Sequence, residues 1–106
     1  MTQIDKGSTH VYADLGYENP EEMHVKAQLA TKIGEIVHRR KLTQVQAAEL
    51  LDIPQTKLSN MLRGQFRGIS ETKMIECLTK LGRNVEIVVK SAPRSKAVGH
   101  VSVVFA

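Results

Sequence analysis

Within six positions, Gln55, Thr56, Lys57, Ser59 and Asn60 bring together two carboxamides, two hydroxyls and one ammonium. On the outer face of a helix such a set of donors and acceptors can enter a DNA major groove about 12 Å wide. The alternative is an ordinary solvated helix face, which these residues taken alone favour. Other chemistries find less support. Cys77 lies one helical turn from Met74 and Leu81, with no catalytic partner in view, so it reads as a core residue. A single cysteine excludes an internal disulfide and any multi-cysteine metal site. His24 and His38 are about 21 Å apart at 1.5 Å per residue on one helix, and His10 and His100 fall in unrelated segments. No paired-carboxylate or glycine-rich phosphate motif occurs. Neither an enzyme, a metal nor a cofactor is expected. With 4% aromatic residues there is no stacking platform for RNA.

The elements that must position the polar set are legible from caps and periodicity. Asn19-Pro20-Glu21-Glu22 starts a helix: Asn caps, Pro suits the first helical position, and the two acids favour the positive end of the dipole. Met23, Ala27, Ala30, Ile33, Ile36 and Val37 continue it, and Arg39, Arg40 and Lys41 close it as dipole partners, with DNA contact the alternative role. Thr43-Gln44-Val45-Gln46 is a capping box for a second, short helix carrying Ala47, Ala48, Leu50 and Leu51. Pro54 opens a third helix through Leu58, Met61 and Leu62, stopped by Gly64. Ser70 caps a fourth with Met74, Ile75, Leu78 and Leu81, ended by Gly82. The period then changes to two. Val85, Ile87 and Val89, then Val101, Val103 and Phe105, predict two strands around a polar loop containing Pro93. Three regions follow: an N-terminal arm over 1–18 with an apolar cluster of Val11, Tyr12, Leu15 and Tyr17, a helix-turn-helix domain over 19–82, and a C-terminal β-hairpin over 83–106.

Composition bounds the rest. The chain of 106 residues, 42% hydrophobic and 25% charged, suits one globular domain with a modest core. No apolar run approaches the roughly 20 residues of a membrane span, no secretory leader is visible, and a cytoplasmic location is expected. The net charge of +4 is unevenly spread: −3 over residues 1–37, +4 over 38–67 and +3 over 68–106. A basic middle third points to a polyanion partner.

Two short helices joined by a tight turn form a helix-turn-helix layout, with Ala48 small enough for the crossing and Leu51, Ile53, Leu58 and Met61 to hold its angle. Here the stretch Leu42-Thr43-Gln44-x3-Ala48-x2-Leu51-x-Ile53-x4-Leu58-Ser59-x-Met61-x-Arg63-Gly64 resembles the phage-repressor, Cro/C1 or XRE-like helix-turn-helix family, without gaps over 29–64. Phe66-Arg67-Gly68, the fourth helix, Gly82 to Val89 and Asp14-Leu15-Gly16 resemble a subgroup of antitoxins of the HigA type. Three positions depart from the pattern. Asp52 and Lys41 stand where Gly is common, and Pro54 where Ser is common; Asp tolerates left-handed backbone better than most residues.

The resemblance implies a mainly α, lambda-repressor-like domain of four to five helices, here with the C-terminal hairpin. It implies that Gln55, Thr56 and Asn60 read bases. Gln and Asn can bond adenine bidentately, and Thr can offer its methyl to thymine. It also implies that Gln44, Lys57, Ser59, Arg63 and Arg67 hold phosphates. A lone two-stranded hairpin is marginal in water, so Val85, Ile87, Val89, Val101, Val103 and Phe105 are expected to pair with a second chain. A dimer would set two recognition helices about 34 Å apart on an inverted-repeat operator in double-stranded DNA. The function expected is a non-catalytic transcriptional repressor, the antitoxin of a type II pair that neutralises a small basic RelE/HigB-like toxin and represses their shared promoter. The acidic N-terminal third is the expected toxin contact. The competing expectation is a stand-alone phage-type or metabolic regulator.

Overall fold

Residues 20–95 and 98–106 are described by the computed structural model. They hold four helices in chain order: α1 (Pro20–Arg39), α2 (Gln44–Leu51), α3 (Gln55–Leu62) and α4 (Glu71–Lys80). The N-terminal arm over 1–18, its apolar cluster, Asp14-Leu15-Gly16 and the Asn19 cap lie outside the described residues.

Local sequence accounts for where these helices begin. Glu21 and Glu22 occupy the first turn of α1. The capping box of α2 is complete: Gln46 N donates to Thr43 Oγ1 at 3.1 Å and Thr43 N to Gln46 Oε1 at 2.9 Å. Ser70 Oγ accepts from Lys73 N at 3.1 Å at the start of α4. At α3, Pro54 provides no side-chain cap.

All four helices end on the same motif, with one backbone bond spanning six residues and an inner one spanning four. Leu42 N donates to Val37 O, Ile53 N to Ala48 O, Gln65 N to Asn60 O and Arg83 N to Leu78 O, at 2.9–3.1 Å. The residue just inside each outer bond turns left-handed. Gly64 (φ +87°) and Gly82 (φ +85°) do so at the ends of α3 and α4. Lys41 (φ 57°) and Asp52 (φ 56°) do so after α1 and α2. Lys and Asp thus adopt the backbone that the family's usual Gly would take, so the substitutions leave both turns intact.

The core lies between the helices. Ile33, Ile36, Leu51, Leu58, Met61, Met74 and Cys77 are its largest fully buried members. α1 packs along α4 and touches α3, while α2 packs on α3 and α4. A Cβ at Gly34 would come within 3.2 Å of Leu62 Cδ2, which marks the close approach of α1 and α3.

The C-terminal β-hairpin expected from Val85, Ile87, Val89, Val101, Val103 and Phe105 is not formed: no strand occurs among the described residues. Alternating side chains make a strand only where a second strand completes its ladder, and an isolated pair gains too little to order itself. Nor is burial one-sided, because Ile87, Val88 and Val89 are consecutive and all more than 70% exposed. Near the end of the chain two side chains touch the body. Val103 is half-buried against the core, and the Phe105 ring lies 4.8 Å from Lys32 Nζ.

Candidate nucleic-acid interface

The path from sequence to the exposed face of α3 begins at its neighbour. Ala47 and Ala48, both buried, let α2 lie close to α3, and Leu51 and Ile53 seal the turn between them. Lys80 Nζ, reaching from the end of α4, donates to the Leu51 carbonyl at 3.3 Å and so satisfies an acceptor that the end of α2 leaves open. Leu58 and Met61, essentially without exposed surface, then fix the roll of α3 about its axis. With those two inward, Gln55, Thr56 and Lys57 are exposed and Ser59 and Asn60 half-buried at the edge of the same face.

Gln44 is the first residue of α2 and is exposed. The capping box engages the third amide of this helix, so the amides of Gln44 and Val45 have no intrahelical acceptor and are suited to an anion. After α3, Phe66 and Ile69 are buried and hold the loop 63–70 against the core, which leaves Arg67 at the surface.

Two contacts join residues of the face to each other or to this loop. Lys57 Nζ donates to the Gly68 carbonyl at 3.1 Å, tethering the first turn of α3 to the loop that follows it. Arg63 Nη2 donates to Asn60 Oδ1 at 2.6 Å. Neither contact was read from the sequence. The i,i+3 spacing of Asn60 and Arg63 was the available signal for the second. The residues expected to dimerise are not brought together with this face.

The charges with shifted titration lie elsewhere. A hydrogen bond from Lys32, 2.9 Å away, holds the Glu35 carboxyl below its ordinary value, and Arg39 at 3.4 Å adds to this. Lys73, hydrogen-bonded at 2.8 Å, does the same for Glu76, with Lys80 assisting, and Glu76 raises Lys73 in turn. Burial pushes the Cys77 thiol up, consistent with its place in the core. Beside the start of α3 an open depression of about 520 Å³ is lined by Lys26, Lys57 and Lys73 and by Glu22, Asp52 and Glu71; three cations against three carboxylates give it no preference for either sign. No group of three or more metal-ligating side chains occurs among the described residues.

Comparison with known proteins agrees with the helix-turn-helix fold. A family model described as a helix-turn-helix domain matches residues 11–90. A solved structure named as an XRE-family transcriptional regulator is 36% identical, with a TM-score of 0.74 over 81% of this chain and 97% of that one. No curated protein gives a significant match. The chain belongs to the XRE family of helix-turn-helix regulators. Among the described residues, no helix is long and apolar enough to cross a membrane.

Proposed function

We propose that this protein is a sequence-specific DNA-binding repressor that works by occupying its operator, without catalysis. The observation that carries this reading is the orientation of α3: Leu58 and Met61 are locked inward, and the hydrogen-bonding residues Gln55, Thr56 and Asn60 face out. Those three read base edges. Gln44 and the start of α2 take a phosphate, and Lys57, Ser59, Arg63 and Arg67 hold the backbone and supply salt-dependent affinity.

The operator is an inverted repeat read by a homodimer. Support for the dimer comes from Val85, Ile87, Val89, Val101 and Phe105, apolar side chains on one C-terminal segment with substantial surface open to water. A second copy would cover them.

The finer reading is an antitoxin that neutralises a small basic RelE/HigB-like toxin and represses their common promoter. The resemblance of Phe66-Arg67-Gly68 and the segment from Gly82 to Val89 to HigA-type antitoxins supports it, as does the −3 charge of residues 1–37, which complements a cationic ribonuclease.

A gel shift against the DNA just upstream of the gene tests the repressor. Asn60→Ala is expected to cost roughly 1–3 kcal/mol on that DNA and little on random DNA. Unchanged operator affinity would remove the base-reading role. Co-purification with the product of an adjoining reading frame for a basic protein tests the antitoxin; failure to bind that neighbour leaves the stand-alone regulator.

A further inference from the structure

We infer that Arg63, rather than holding the backbone as assigned above, sets the base preference of Asn60, and that the two side chains together read guanine. The inference rests on the DNA-binding role proposed above and makes its chemistry specific. A carboxamide is ambivalent, since it can offer its oxygen, its NH2 group or both. Free of neighbours, Asn pairs with adenine by accepting from N6–H2 and donating to N7. Asn60 is not free of neighbours. Its Oδ1 already accepts a short, charge-assisted hydrogen bond from Arg63 Nη2 at 2.6 Å.

That bond has two consequences. It turns the carboxamide so that Nδ2 is the group left to meet a ligand. It also places a guanidinium against the oxygen, and this cation repels the positive hydrogens of an adenine amino group. What the pair offers is then a row of donors, the two N–H of Asn60 Nδ2 and the remaining N–H groups of Arg63. In the major groove only guanine shows two adjacent acceptors, O6 and N7, on one base.

The backbone holds the pair in register. Asn60 O accepts from Arg63 N at 3.1 Å and from Gln65 N at 2.9 Å, which locks Asn60 in the last turn of α3 and Arg63 at its C-cap. Met61, between them, is buried and pins that turn to the core.

Selection of preferred sites from random duplex DNA tests this with the full-length protein. Asn60→Ala should relax a single base position in each half-site and so identify it. The wild type should favour G there by about tenfold, which is about 1.4 kcal/mol. Asn60→Asp keeps the bond to Arg63 but replaces the donor with an acceptor, and should move the preference to C. Arg63→Met frees the carboxamide oxygen and should move it to A. A wild-type preference for any base other than G at that position overturns the inference. So does an Arg63→Met protein that loses affinity evenly over all sequences while still favouring G. A wild-type protein that enriches no motif at all overturns the DNA-reading role itself, and with it the pairing; that result differs from the other two.

Discussion

The helical body over residues 20–82 and the segment that follows it are built from similarly apolar sequence, yet they end differently. In the body, Ile33, Leu51, Leu58 and Met74 have no exposed surface, while Ile87, Val88 and Val89 have most of theirs. The difference lies in how the backbone is satisfied. A helix closes its hydrogen bonds within itself and needs neighbours only for its side chains, whereas an extended segment needs a partner for both. The core of the body is therefore filled within one chain, whereas the apolar side chains of Ile87, Val88 and Val89 are left uncovered.

Leu58→Ala should give the largest effect, because its side chain is wholly enclosed between helices: a loss of about 2–5 kcal/mol in chemical denaturation. A loss under 1 kcal/mol would mean that the body is less tightly filled than it looks. Serine at both Ile87 and Val89 should leave monomer stability within about 0.5 kcal/mol. In sedimentation the same pair should convert a dimer to monomers; a dimer that persists places the interface elsewhere. Thr43→Ala removes the cap of α2 and should cost about 1 kcal/mol in thermal unfolding.

The smallest effects sit in the turns. Lys41→Gly relieves left-handed strain at a β-carbon and should stabilise by about 0.5–1 kcal/mol, with Asp52→Gly gaining less because Asp tolerates that backbone. Glu76, held below its ordinary value by Lys73, adds stability that is present above pH 4.5 and lost as pH falls through its folded value. Glu76→Gln should therefore flatten the acid limb of a stability–pH curve.

What could be read ahead of the structure follows the range of each interaction. The box Thr43–Gln46 and the stops at Gly64 and Gly82 are contacts over a few residues, so residue types alone locate them. The outward face of α3 follows from the helical spacing of Leu58 and Met61. The alternation at Val85, Ile87 and Val89 was equally regular and still misled, because a strand depends on a partner that the alternation does not name. The Asn60–Arg63 bond was hidden for another reason. Lys57 and Arg63 both stand within one turn of Asn60, and only the geometry shows that Arg63 takes its oxygen while Lys57 goes to Gly68.

The sole thiol, at Cys77 on the buried side of α4, has no path to solvent while the helices remain closed. A sulfhydryl reagent can reach it only when α4 lifts away, so labelling at rising reagent concentration would time the breathing of the body. If operator DNA braces that body, the same clock would run slower in its presence, and one atom far from the groove would report occupancy.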